Sequence, residues 1–229
     1  MKRPLLLGHR GTRARRLSRL GSGLPVENSL AAFEFALAEG CDGFEFDVRS
    51  TRDGRNVLWH DPEWQGMQID ATDYAGLADR RGNRPACLED VLQRFCHRAW
   101  LDIELKVPGG EDSVVAALRA NPPQRGFVVS SFLPGVLLRL HGLAPELPLG
   151  FICDRDETIA AWREMPVRIL LPHYSLLQPV LIAEAHDNGL HVMTWTVNDS
   201  GKMHELAEWG IDGLISDDPR LLYQTFHSD

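Results

Sequence analysis

The sequence predicts an α/β protein built as a single (β/α)₈ barrel with a β-hairpin excursion after its second strand. Three observations predict it. Short apolar runs alternate with helix-patterned stretches from end to end; nine such runs are present; and one is joined to its predecessor by a tight-turn pair instead of a helix. Strands alternating with helices give a parallel sheet, and eight strand–helix units in one chain favour closure into a barrel. An open doubly wound sheet is the competing arrangement, which the pattern alone does not exclude.

The candidate strands are Leu5–His9, Gly43–Val48, Asn56–His60, Trp100–Leu105, Phe127–Ser131, Leu149–Cys153, Arg168–Pro172, His191–Thr196 and Gly213–Ser216. The stretches between most of them carry apolar residues at i, i+3 and i+4, as in Leu30–Phe33–Leu37 and Val114–Leu118. Asn28 and Ser29 stand where the first helix needs an N-cap, and Gly40 stands where it should stop. Asp53–Gly54 is the tight-turn pair that makes Asn56–His60 a hairpin partner. No interior linker divides the 229 residues, so 1–229 reads as one domain.

The formal charge is −8, with a pI near 5.6. An acidic surface argues against nucleic acid as a partner and requires a local positive site for any anionic substrate. Cys41, Cys87, Cys96 and Cys153 are widely spaced, without a zinc-like pattern, and read as buried reduced thiols. The opening apolar run, Leu5–Leu7, is too short for a signal peptide, and no stretch approaches the ~20 apolar residues of a membrane span. A cytoplasmic protein is the expectation; the oligomeric state is not readable.

Glu45 and Asp47 lie two apart on one strand and so share a face, as do Glu104 and Lys106 on a later one. Barrel active sites draw on the C-terminal ends of several strands, which would let Glu45, Asp47 and Glu104 converge. Like charges 4 Å apart repel by about 4 kcal/mol at an effective dielectric of 20, so such a cluster needs raised pKa values or a cation. Oxygen ligands suit Mg²⁺ or Ca²⁺ over zinc, without choosing between the two. His9 and His60 end strands and suggest an acid/base pair. Arg10 and Lys106 would complement a phosphate.

Taken in order, these residues resemble the glycerophosphodiester phosphodiesterase family. The matching segments are HRG (His9–Gly11), EN (Glu27–Asn28), EFDVRSTRDGRNVLWHDP (Glu45–Pro62), ELK (Glu104–Lys106), VSSF (Val129–Phe132), TWTVND (Thr194–Asp199) and GIDGLISDDP (Gly210–Pro219). The resemblance covers nearly the whole chain. It implies a (β/α)₈ barrel with one divalent ion (Mg²⁺ or Ca²⁺, with Mn²⁺ also admissible) held by Glu45, Asp47 and Glu104. It further implies His9 and His60 as acid/base pair and Arg10 and Lys106 as phosphate binders. The implied reaction is hydrolysis of glycerophosphodiesters to glycerol 3-phosphate and an alcohol, through attack by the glycerol 2-hydroxyl and a cyclic phosphate. Which histidine acts first is not assigned by sequence.

The family's P-E-N signature is imperfect here, because Val26 separates Pro25 from Glu27. Glu27 is an expected metal contact or a support for Arg10, and Asn28 an expected substrate contact or helix cap. Trp195 is expected to offer glycerol carbons a flat wall, and His173 is a weaker candidate substrate contact. The segment Thr12–Leu24, with Arg13, Arg15, Arg16 and Arg19, is longer than the connection usual after HRG and reads as a solvated loop or a draw for anionic substrate. Two rival functions stand beside the main one. The first is lysophospholipase D-type cleavage of lysophospholipids on the same scaffold; the second is an idle barrel that binds phosphodiesters without turnover.

Overall fold

In this computed structural model residues 3–13 and 23–227 are described, so the expectations for Arg15, Arg16 and Arg19 lie outside the described residues. The strands are β1 (Leu5–Gly8), β2 (Gly43–Ser50), β3 (Asn56–Leu58), β4 (Glu63–Trp64), β5 (Met67–Gln68), β6 (Trp100–Leu105), β7 (Phe127–Ser131), β8 (Leu149–Cys153), β9 (Ile169–Pro172), β10 (His191–Thr194) and β11 (Gly213–Ser216). The helices are α1 (Leu30–Ala38), α2 (Leu88–Phe95), α3 (Glu111–Ala120), α4 (Pro134–Leu143), α5 (Asp156–Ile159), α6 (Pro179–Asp187), α7 (Ser200–Glu208) and α8 (Pro219–His227).

The sheet runs β1-β11-β10-β9-β8-β7-β6-β2, every neighbour parallel, and β1 also pairs with β2 through Leu7↔Gly43 and Gly8↔Phe44. That last pairing closes the ring of eight and rules out the open sheet. β3 lies outside the ring, antiparallel to β2 with Val48 opposite Leu58, as the Asp53–Gly54 turn predicts.

Strand alternation sorts the side chains. Phe44, Phe46 and Val48 of β2 point outward into the layer between barrel and helices. There Phe44 stacks on Phe33 of α1, with centroids 4.2 Å apart, and meets Phe95 of α2 edge-on at 5.1 Å. Such aromatic pairs contribute about 0.5–1.5 kcal/mol each beyond area burial. This packing fixes β2 in depth and rotation, so Glu45 and Asp47 must face the barrel interior. Leu7, Val128, Ile152, Ile169, Leu171, Met193 and Ile215 fill that interior and form an apolar floor. Gly43 starts β2 where a Cβ would stand 1.8 Å from the Trp100 carbonyl oxygen, so only glycine lets β2 and β6 approach there.

Three features depart from the strand list. β1 ends at Gly8 and β3 at Leu58, so His9 and His60 open loops beyond their strands. The excursion continues past β3 through β4, β5 and a single 3₁₀ turn at 74–76, over a small core of Val57, Trp64, Ile69, Leu77 and Cys87. Between β8 and β9 the connecting helix is reduced to α5 and a 3₁₀ segment at 160–164. All four cysteines are buried free thiols. No described helix is long and apolar enough to cross a membrane.

Candidate active site

The site lies at the C-terminal mouth of the barrel, where active sites of this architecture are built. Glu45 and Asp47 rise from β2 and Glu104 from β6, in neighbouring register (Glu45↔Asp102, Asp47↔Glu104). One carboxylate oxygen from each lies within 4.8 Å of the others, and all three residues are buried. Glu45 Oε1 is buried with no hydrogen-bond partner. Asp47 Oδ1 and Glu104 Oε1 face the Lys106 ammonium, at 3.3 and 2.6 Å, as ion pairs without hydrogen-bond alignment. Three buried carboxylates with oxygens left over suit a hard divalent cation such as Mg²⁺ or Ca²⁺.

Electrostatics separates the three acids. Burial, reinforced by Asp47 and Glu104, raises the Glu45 carboxyl well above the usual range. Glu104 is pushed up to about 7, chiefly by burial, with Lys106 offsetting part of the effect. For Asp47 burial acts in the same direction but is outweighed by Arg10, Lys106 and the Asn28 hydrogen bond, and its pKa is lowered.

Around the acids stand the basic residues. Arg10 occupies a left-handed conformation (φ 50°), followed by Gly11 at φ 77°, where a Cβ would lie 2.6 Å from the Ala32 backbone. A non-glycine residue held there is strained, and such strain collects at functional sites. The turn aims the Arg10 backbone N–H at Glu45 Oε2 (2.9 Å) and sets its side-chain Nε 2.9 Å from Asp47 Oδ2. His9 donates or shares a proton through Nδ1 with Asp217 Oδ1 at 2.7 Å, while its Nε2 faces Glu45 Oε2 at 3.8 Å. Asn198 donates to the other Asp217 oxygen at 2.8 Å and accepts from the Asp217 backbone N–H at 2.9 Å. His60 sits nearer the rim, its Nδ1 2.7 Å from Asp61 Oδ1; burial lowers its pKa despite that contact.

His9, Arg10, Glu45, His60, Glu104, Lys106 and Trp195 all line one cavity of about 270 Å³. Its opposite wall is apolar, with Phe132, Ile152, Leu171 and Ile215 beside Trp195. Phe132 and His173 meet the Trp195 ring edge-on, at 5.5 and 5.2 Å, so His173 buttresses that wall.

Of the alternatives given for the next two candidates, Glu27 takes the support of Arg10, and Asn28 takes neither of its two. Glu27 stands outside the carboxylate triad: its oxygens pair with Arg10 at 2.7 Å and Arg13 at 2.5 Å, leaving it to hold Arg10. Asn28 gives both ends of its amide to Asp47, donating to Oδ2 (2.7 Å) and accepting from its backbone N–H (3.1 Å), and does not line the cavity. The helix cap is Ser29, whose hydroxyl accepts from Ala32 N–H.

A profile described as the glycerophosphoryl diester phosphodiesterase family matches residues 9–221. The chain belongs to that family. Among its relatives, a glycerophosphodiester phosphodiesterase of Caldanaerobacter subterraneus subsp. tengcongensis is 30% identical over 219 residues, spanning 86% of this chain and 90% of its own. A putative family member from Silicibacter pomeroyi has a crystal structure that superposes with a TM-score of 0.82 at 26% identity, covering 97% of this chain and 92% of that one. An Oleispira antarctica phosphodiesterase, solved in complex with the product sn-glycerol-3-phosphate, shares the fold with a TM-score of 0.81 at 24% identity, covering 98% and 97%.

Four site residues were given no role in the reading by sequence, three of them inside the family segments. Asp217 and Asn198 act on His9 from 208 and 189 positions away, although Asp217 keeps the inward parity of Gly213 and Ile215 on β11. Arg49 continues the inward series Glu45–Asp47–Arg49 and donates through Nε to the His60 carbonyl at 2.8 Å. The fourth, Asp102, shares the parity of Glu104 and Lys106 and lines the cavity.

Proposed function

We propose that this family member hydrolyses glycerophosphodiesters to glycerol 3-phosphate and an alcohol, with a divalent cation held by Glu45, Asp47 and Glu104. The observation that carries the reading is the His9–Asp217 pair, which presents an imidazole Nε2 to the buried carboxylate triad inside a cavity with one charged side and one apolar side. The bound cation would supply Lewis-acid polarisation of a phosphoryl oxygen.

The chain's own residues do the rest. With Nδ1–H donated to Asp217, His9 Nε2 carries a lone pair and acts as general base, taking the proton of the substrate's glycerol 2-hydroxyl. That oxygen attacks phosphorus, the P–O bond to the headgroup alcohol breaks, and His60, nearer the rim, gives the leaving alkoxide its proton. Water then opens the five-membered cyclic phosphate with the two histidines in exchanged roles, restoring both protonation states and leaving glycerol 3-phosphate. Arg10 and Lys106 offset the negative charge on the phosphate oxygens. The Trp195 wall excludes water from the glycerol carbons. A phosphodiesterase of the same fold holding sn-glycerol-3-phosphate supports this choice of product.

The cavity of about 270 Å³ sits just below the common range of ligand sites, about 300–1,000 Å³, which favours a short polar diester over an acyl chain lodged inside. A coupled assay for released glycerol 3-phosphate tests the proposal. Glycerophosphocholine should turn over, chelation should stop it, and Mg²⁺, Mn²⁺ or Ca²⁺ should restore it. Full turnover in chelator refutes the metal reading. Preference for lysophosphatidylcholine over glycerophosphocholine moves the assignment to the lysophospholipase D-type reaction.

A further inference from the structure

Asp102 is the acid that the reaction above does not use. It lies on β6 directly opposite Glu45 of β2 and two residues before Glu104, so its side chain projects to the same interior face. It is 1% exposed. One oxygen, Oδ1, accepts from the Ser130 hydroxyl of β7 at 2.5 Å, while Oδ2 is buried without a hydrogen-bond partner. The same cavity that holds Glu45, Glu104 and Lys106 is lined by Asp102. It stands outside the group whose oxygens all converge within 4.8 Å, so it is placed behind the ligand set and not in it.

A buried carboxylate with a free oxygen is costly unless something positive or proton-donating meets it. No Lys, Arg or His among the described residues forms an ion pair with Asp102, whereas Arg10 and Lys106 are both engaged with Asp47 and Glu104. Glu45, Asp47, Glu104 and Asp102 set four carboxylates against those two buried cations. That leaves buried carboxyl oxygens without a cationic partner, as a divalent ion would require. An asparagine at this place would still accept from the Ser130 hydroxyl, and it would not supply a negative charge.

We propose that Asp102 is an outer-sphere acid of the cation site: held by Ser130, it points Oδ2 at the hydration shell of the ion and raises the chain's affinity for divalent cations. This rests on the reading that Glu45, Asp47 and Glu104 hold such an ion.

Isothermal titration of Mg²⁺ and of Ca²⁺ into the chelator-stripped full chain tests it. Asp102→Asn keeps the shape and an acceptor for the Ser130 hydroxyl while deleting the charge. Its dissociation constants should be weaker by roughly 10- to 100-fold, the loss usual when an outer-shell partner of a metal site is removed. Ser130→Ala, which frees Asp102 to turn away, should lose affinity in the same direction by a smaller factor. Asp102→Asn affinities within twofold of the unaltered chain overturn the proposal. If that variant does not fold, unchanged affinity in Ser130→Ala overturns it instead. An unaltered chain that binds neither ion removes the triad reading and this proposal with it, an outcome seen before any variant is made.

Discussion

Glu104→Gln should make the ion-free protein more stable at pH 8 while destroying its use of cations. Glu104 titrates at about 7 in the folded chain against 4.5 for an ordinary glutamate, because burial outweighs the attraction of Lys106. A carboxyl whose folded pKa is raised favours the folded state below the unfolded value and loses that advantage as pH climbs through the folded one. The window is therefore pH 4.5 to about 7. The shift of about 2.5 units, at 1.36 kcal/mol per unit, corresponds to about 3 kcal/mol at pH 8. Glutamine mimics the protonated acid and avoids that cost. Lys106 keeps its partner Asp47 at 3.3 Å, so no cation is stranded. In chelator at pH 8 the variant should exceed the unaltered chain by up to about 3 kcal/mol in urea unfolding, or ~6–12 °C in Tm for a chain of this size. Near pH 4.5 the difference should close. Adding Mg²⁺ at pH 8 should reverse the order, because only the unaltered chain has its full ligand set. Equal stability of the two proteins at pH 8 in chelator would refute the claim that the triad is held in electrostatic tension.

The other predictions concern turnover and ion affinity. His9→Ala and His60→Ala should each lower kcat by about 10²–10⁴-fold with the circular dichroism spectrum unchanged, since both are loop residues beyond strand ends; near-normal turnover of either removes it from the acid/base pair. Asp217→Asn lets an amide N–H face His9 Nδ1, reversing the tautomer and blocking Nε2 as base. It should lower kcat by roughly 10²-fold or more with little change in KM, as loss of tautomer control does elsewhere. Divalent-cation affinity should rise with pH through about 7, where Glu104 loses its proton, by about tenfold per pH unit for each proton displaced. A flat calorimetric affinity between pH 6 and pH 8 would contradict that coupling.

The barrel and the heart of its site were legible because both follow short-range rules. Period-two alternation put Phe44, Phe46 and Val48 on one side of β2 and Glu45 and Asp47 on the other, and Asp53–Gly54 announced the hairpin. Closure was only favoured by counting; the β1–β2 pairing that completes it is a tertiary fact. What stayed hidden depends on contacts between distant segments. Nothing near His9 names Asp217 as its partner, and nothing in Asn28 says that its amide will be spent on Asp47. Asp102 was within reach, since the parity that joins Glu104 to Lys106 includes it; what sets it apart, the Ser130 hydroxyl on one oxygen and nothing on the other, is a contact between strands.

One cation site underlies the proposed reaction, and anomalous diffraction from crystals grown with Mn²⁺ and glycerol 3-phosphate examines it directly. One strong peak is expected, bounded by Glu45, Asp47 and Glu104, with the phosphate lying between His9 and His60 and touching Arg10 or Lys106. A peak elsewhere on the chain, or phosphate bound at the mouth with no ion beside those three acids, would contradict it.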